Sequence, residues 1–179
     1  MPREFSDQEL VRRAKAQRLS ENGIDPFGEK FVRTDNSETI KNKAGEFTKE
    51  ELEEKALDVK TAGRIMFIRI MGKASFFSIQ QGQIQAFISK ESVGEETYDL
   101  FKTADLGDIV GIEGTIMRTR TGEVTVKVKT YTHIVKALKP LPEKFHGLQD
   151  VEERYRRRYV DLIMNESSRH VALTRPRII

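Results

Sequence analysis

The hydrophobic period changes twice between Val59 and Val135, and this limits the fold more than any single motif does. VKTAGRIMFIRIM, residues 59–71, is dense in strand-forming residues and reads as a long first strand, with KASFFSIQ and GQIQAFIS as a second and a third. Gly72 and the QQG at 80–82 mark two hairpin turns. Over GEETYDLFKTADL the period becomes helical, which predicts Tyr98, Phe101 and Leu106 on a shared face. Gly107 and Asp108 interrupt it. DIVGIEGTIMRTR is a fourth strand, TGE a tight turn and EVTVKVKTYTHIV a fifth strand, in which Val124, Val126 and Val128 alternate with Thr125, Lys127 and Lys129.

Three strands, a helix and two strands is the order of an OB-fold, a five-stranded Greek-key barrel that binds oligonucleotides on its strand 2 and 3 face. The expected fold class is α+β, mainly β. The barrel spans 59–137, after a basic helical extension and connector at 1–58 and before a linker and helix at 138–179. In the extension, SDQELVRRAKAQRLSEN predicts a helix with Ser6 and Glu9 as a capping box and a weak apolar stripe of Leu10, Ala14, Gln17 and Leu19. Arg12, Arg13, Lys15 and Arg18 make it either a solvated surface helix or an RNA-contacting one. Gly23 ends it. Residues 29–58 read as polar connecting material with a short acidic helix capped by Thr48 and Glu51. Beyond the barrel, ALKPLPEKFHGLQD is a proline-punctuated linker. VEERYRRRYVDLIMNE predicts one helix, with Tyr155, Tyr159 and Leu162 at helical spacing and Arg154, Arg156, Arg157 and Arg158 in a basic cluster. The final TRPRII leaves an element incomplete, so a continuation is expected.

Composition narrows the chemistry. Cysteine is absent from the 179 residues, which excludes disulfides, Cys-ligated zinc and thiolate catalysis. His133, His146 and His170 lack ligand spacing, so no metal site is expected. No run approaches the roughly 20 apolar residues that cross a bilayer, and the N-terminus is too charged for a secretory signal, which together imply no membrane partner and a cytoplasmic location. With 31 basic against 28 acidic residues the formal charge is +3, which suits an anionic partner only if the excess sits on one face.

KASFFSIQQGQIQAF has the composition such a face would need. Base stacking on an aromatic platform stabilises single-stranded binding by about 1 to 3 kcal/mol per base, and cations offset phosphate charge. Phe76 and Phe77 point to opposite faces, so one packs inside and the other is free to stack; the residues alone leave open which. Gln85, on the neighbouring strand, offers both a donor and an acceptor to a base edge. Glu123, at the hairpin between strands 4 and 5, would repel phosphates but could accept a hydrogen bond from a base; uracil, with an N3 donor between two carbonyls, would be satisfied by one carboxylate and one amide. From spacing alone, Glu123 reads first as a plain turn glutamate and Gln85 as a solvated strand residue. Arg64 and Arg69 on the first strand and Arg118 and Arg120 on the fourth are candidate phosphate or base contacts.

RIMFIRIMGKASFFSIQ, LGDIVGIEGTIMRTRTGEVTV, LSENGIDPFGEKF and above all ALKPLPEKFHGLQDVEERYRRRYVDLIMN resemble the N-terminal part of bacterial-type class II lysyl-tRNA synthetases. The resemblance covers nearly the whole chain and implies an anticodon-binding OB domain followed by a linker into a catalytic domain that is absent here. In the wider subclass, a strand 2 phenylalanine stacks on the central anticodon uridine, which a strand 3 glutamine and a glutamate near the 4/5 hairpin read. Motif for motif, these are Phe76 in ASF, Gln85 in the IQ pair and Glu123 in TGE, with Arg69 before IMGKASF and Arg64 in AGRIM as accompanying contacts. QQGQIQ is shorter than the family's IQD and glycine-bearing turn, with Gln81 in place of the aspartate, which implies a reshaped hairpin. Class II motif 1 should begin with a helix near SRHVALTRPRII, where Pro176 is unusual. Motifs 2 and 3, which hold ATP, magnesium and lysine in the family, have no counterpart, so the chain alone should be inactive and hold no cofactor. The resemblance implies a parent that activates lysine with ATP and Mg2+, esterifies it to tRNA-Lys and forms a homodimer. Two readings compete with an anticodon-recognition fragment: a free-standing OB module binding single strands without sequence preference, and an assembly module docking through the 154–158 basic helix.

Overall fold

A computed structural model of the chain describes residues 4–28, 30–79, 84–142 and 148–178. The five expected strands are present: β1 (Asp58–Met71), β2 (Ala74–Ile79), β3 (Ile84–Ser89), β4 (Ile109–Arg118) and β5 (Val124–Val135). They close into a barrel in the order β1-β2-β3-β5-β4, with every pairing antiparallel except β3 with β5. The OB-fold reading therefore holds. β1 is long enough to serve two neighbours: Asp58–Arg64 pairs with β4 and Ile65–Met71 with β2, with a bulge between Ile65 and Phe67 where it turns. A second irregularity, at Glu113/Gly114, requires glycine, because a Cβ at Gly114 would lie 2.0 Å from the Lys127 carbonyl oxygen.

Alternation fills the interior. Phe77, Ile79, Ile84, Ala86, Ile88, Val126 and Val128 point inward from β2, β3 and β5 and meet Ile65, Val110, Ile112 and Ile116. The helical segment between β3 and β4 forms as α4 (Lys90–Val93) and α5 (Glu95–Lys102), with Tyr98 and Phe101 buried, Phe101 against Phe77 and Tyr98 against Phe101. The Tyr98 hydroxyl donates to the Gly72 carbonyl at 2.9 Å and lies 2.7 Å from Ser75 Oγ, so this buried oxygen is satisfied. Leu106, expected beside them, lies past the end of α5 and is exposed, because the helix stops at Lys102.

Three helices precede the barrel: α1 (Asp7–Glu21), α2 (Ser37–Ala44) and α3 (Lys49–Lys55). The capping boxes at Ser6/Glu9 and Thr48/Glu51 form as expected. α2 lies in what read as connecting material; its box, Asn36 with Thr39, uses threonine at the third position, and its burial rests on Ile40 and Ala44 alone. The stripe on α1 is also different. Leu10, Ala14 and Gln17 are exposed, and the buried side is Glu9, Arg12, Ala16 and Leu19. The reason is polar: Arg12 donates to the carbonyls of Leu106, Ala137 and Lys139 at 3.1, 3.0 and 3.3 Å, and Lys15 pairs with Asp105 at 2.7 Å. Electrostatic anchoring orients this helix more than its few apolar side chains do.

The chain divides into two compact units, one ending at Lys139 and the other beginning at Pro140. In the second, the single expected helix is broken at Arg157 (φ −116°, ψ 49°) into α6 (Val151–Arg156) and α7 (Arg158–Met164), followed by α8 (Glu166–Ile178) with Pro176 in its last turns. Tyr155 and Tyr159 are exposed. The basic cluster faces acids: Arg154 and Arg158 converge on the buried Asp161, Arg156 pairs with Glu152 and Arg157 with Glu153. Burial alone would raise the Asp161 pKa, but hydrogen bonds from Asn165, Arg154 and Ser168 and the Arg154 charge outweigh it and hold the carboxyl at about 2.

Candidate nucleic-acid interface

The register of four strands brings together a row of outward side chains that are distant in sequence. Arg69 on β1 lies opposite Phe76 on β2, Phe76 opposite Phe87 on β3, and Phe87 beside Lys127 on β5. The Phe76 and Phe87 rings are 5.1 Å apart and tilted by 55°, both half-buried, so each keeps part of its face toward solvent. Arg69 and Lys127 are exposed at the two ends and have no ion-pair partner among the described residues. Phe77, the neighbour of Phe76, is wholly buried. Strand pleating thus separates the two phenylalanines, and Phe76 is the outward one.

A second row lies alongside: Phe67 on β1 opposite Ser78 on β2, Ser78 opposite Gln85 on β3, Gln85 beside Thr125 on β5, and Thr125 opposite Met117 on β4. Phe67 is exposed and Thr125 fully buried. The Thr125 hydroxyl donates to the Gln85 carbonyl oxygen at 2.9 Å. Glu123 stands two residues before Thr125, just ahead of β5, and is exposed at the hairpin. Its backbone is tightly held, with Glu123 N–H donating to Thr119 Oγ1 at 3.1 Å and its carbonyl accepting from Thr119 N–H at 3.0 Å, while Gly122 adopts φ 85°. The turn that carries the carboxylate is thus closed by two hydrogen bonds between Thr119 and Glu123.

Phe76, Gln85 and Arg69 share one face of the barrel, and Glu123 is exposed at the 4/5 hairpin; Arg64 stands apart. It lies in the half of β1 that pairs with β4, is half-buried, and donates to the Gly107 carbonyl at 2.7 Å. Burial pulls its pKa below the ordinary guanidinium value, opposed by the charge of Asp108. Arg118 is likewise engaged, donating to the carbonyls of Phe47, Gly122 and Gly45 at 2.7, 2.9 and 2.7 Å, which ties the 4/5 hairpin to the α2–α3 connection. The shortened QQG turn and Gln81 lie outside the described residues, as does His146. Phe67, Phe87, Thr125 and Lys127 were not singled out from the sequence. The alternation along β5 placed Thr125 and Lys127 on its polar side, but only the parallel β3–β5 pairing sets them against Gln85 and Phe87.

Among the described residues no cluster of three or more His, Asp or Glu side chains could hold a metal ion, and no helix is long and apolar enough to cross a membrane. Residues 59–134 match the tRNA anti-codon family, described as an OB-fold nucleic acid binding domain. Over 98% of its length the chain is 55% identical to a lysine–tRNA ligase of Bacillus cytotoxicus, and it is 54% identical over the same share to lysine–tRNA ligases of Bacillus thuringiensis and Bacillus anthracis. It spans 36% of the length of these relatives, in their N-terminal region. Residues 59–134 are thus similar to the OB-fold domains of the tRNA anti-codon family, and nearly the whole chain is similar to the N-terminal region of lysine–tRNA ligases.

Proposed function

We propose that this chain recognises the anticodon loop of tRNA-Lys, with Phe76 as the stacking plate for the central uridine and Gln85 and Glu123 as its readers. The observation that carries the reading is the row Arg69–Phe76–Phe87–Lys127, an aromatic pair flanked by cations with no ion-pair partner among the described residues, with Gln85 one rung away. A base stacked on Phe76 presents its edge toward β3 and β5, where an amide donor and a carboxylate acceptor match the carbonyl and N3–H of uracil. Arg69 and Lys127 supply charge to the flanking phosphates. Arg64 is the outlying member, reaching RNA only through the donors that Gly107 leaves over.

In the full-length parent this binding would select the tRNA that a separate catalytic part charges, activating lysine with ATP and Mg2+ in the cytoplasm as a homodimer. The barrel residues named here bind and orient RNA; the ATP- and metal-holding motifs 2 and 3 are not among these 179 residues. The reading predicts that the chain binds a lysine anticodon stem-loop more tightly than one whose central uridine is replaced. Both affinities measured at one salt concentration test it; equal values would leave a general single-strand binder.

A further inference from the structure

We infer that Thr125 is a positioning residue for base reading: by donating to the Gln85 carbonyl it turns the Gln85 amide so that the NH2 group faces the base. This rests on the anticodon reading above and adds to it a residue that itself need not touch RNA. Thr125 sits on the outward side of β5 but has no exposed surface, while Val124, Val126 and Val128 surround it in sequence. A buried hydroxyl is unfavourable unless it is hydrogen-bonded, so packing alone would be better served there by another valine.

The hydroxyl has one hydrogen and two acceptors in reach, the Gln85 side-chain carbonyl at 2.9 Å and the Glu123 backbone carbonyl at 3.3 Å. The shorter contact takes most of the hydrogen bond. An unanchored glutamine amide rotates by half a turn at small cost, exchanging donor for acceptor. It would then serve a pyrimidine carrying a carbonyl and one carrying an amino group almost equally. Anchoring the carbonyl on Thr125 removes that ambiguity, leaving Gln85 as a donor beside the acceptor Glu123. That pair fits the carbonyl and N3–H of uracil and opposes the amino group and N3 acceptor of cytosine.

The test uses the whole chain and two synthetic stem-loops differing only in uridine or cytidine at the central anticodon position. Thr125→Val keeps the shape and removes the donor; Thr125→Ser keeps the donor; Gln85→Ala removes the reader. The expected result is a uridine preference that falls about five- to tenfold in Thr125→Val, the loss of about one hydrogen bond, and that Thr125→Ser retains. A packing role would weaken both RNAs together and leave their ratio unchanged, which would overturn the inference. So would a Gln85 side-chain NH2 signal protected from solvent exchange in the free protein, because that amide would face Thr125 with its nitrogen. If Gln85→Ala abolishes the preference and Thr125→Val does not, the inference alone fails. A wild-type chain without preference overturns the inference together with the anticodon reading.

Discussion

Arg64 and Arg69 stand on one strand and behave differently. Arg64 belongs to the half of β1 that pairs with β4 and gives a hydrogen bond to its own chain at Gly107; Arg69 belongs to the half that pairs with β2 and stands exposed opposite Phe76. The contrast extends beyond the strand. Around the 105–108 turn, Arg12, Lys15, Arg64 and Lys136 are held by carbonyls or by Asp105 and Asp108, while on the β2–β3 face Arg69 and Lys127 have no such partner among the described residues. Counting basic residues would have pointed to α1 as the nucleic-acid surface. Geometry separates the two surfaces: Arg12 and Lys15 of α1 are held by carbonyls and by Asp105, whereas Arg69 and Lys127 flank the Phe76–Phe87 pair.

The sharpest way to break this comparison is at the buried end. Asp108 has no exposed surface and accepts from Lys136 Nζ at 2.6 Å, Ala137 N–H at 2.8 Å and Asp105 N–H at 2.9 Å. Asp108→Ala takes one of two carboxylates from the buried Lys136, leaving Asp105 at 2.6 Å, and strips the Asp105 and Ala137 N–H groups of their acceptor, which should cost about 3 kcal/mol in urea unfolding. A loss below about 1 kcal/mol would mean that the cluster is not a structural clamp. Phe77→Ala should destabilise by a comparable amount, about 3 to 5 kcal/mol, as a cavity in the core.

On the outer face the effect should move from stability to binding. Phe76→Ala is expected to weaken stem-loop binding by about 1 to 3 kcal/mol, with a far smaller change in unfolding than Phe77→Ala shows. If Phe77→Ala alone reduced RNA affinity while the fold stayed intact, the stacking plate would be wrongly assigned. Lys127→Ala should weaken all RNAs alike and reduce the salt slope of binding by about one, whereas Lys129→Ala, which removes a lysine paired with Asp58 at 3.0 Å, should leave the slope unchanged. Equal slopes for the two variants would dissolve the distinction between neutralised and free cations.

The smallest expected effect concerns acid stability of the second unit. The Asp161 carboxyl is held at about 2 against an ordinary 3.8, so the folded state binds its proton later than the unfolded chain does. The stabilisation is full above about pH 4 and is lost as pH falls toward 2. Helical circular dichroism followed from pH 6 to 2 should show this limb in the wild type and a flatter one in Asp161→Asn; coincident curves would show that Arg154 and Arg158 gain nothing from the carboxylate.

Much of this was legible beforehand because it depends on local periodicity. The alternation of Phe77 and Ile79 against Phe76 and Ser78 decides which side chains enter the core, and the capping boxes at Ser6 and Thr48 satisfy their own helix ends without distant help. Where the local pattern failed, a polar contact had taken over. Leu10 and Ala14 face solvent because Arg12 reaches carbonyls about a hundred residues away; the break of the predicted 151–166 helix at Arg157 instead accompanies a local cluster, in which Arg154, Arg158 and Asn165 converge on Asp161. No periodicity in α1 or α6 reports such partners.

For the candidate site the same division applies. The sequence by itself determined the strand order, the barrel and the opposite orientations of Phe76 and Phe77, and its resemblance to the lysyl-tRNA synthetases put forward Phe76, Gln85 and Glu123 as candidates. The folded chain decided which of the cations remain available and that Phe87, Thr125 and Lys127 stand with that set. The physical reason lies in the parallel β3–β5 pairing: it joins Gln85 to Thr125 and Phe87 to Lys127 across 40 residues. Such a register is set by barrel closure and by packing of Ala86 against Val126 in the interior, neither of which any stretch of sequence expresses locally.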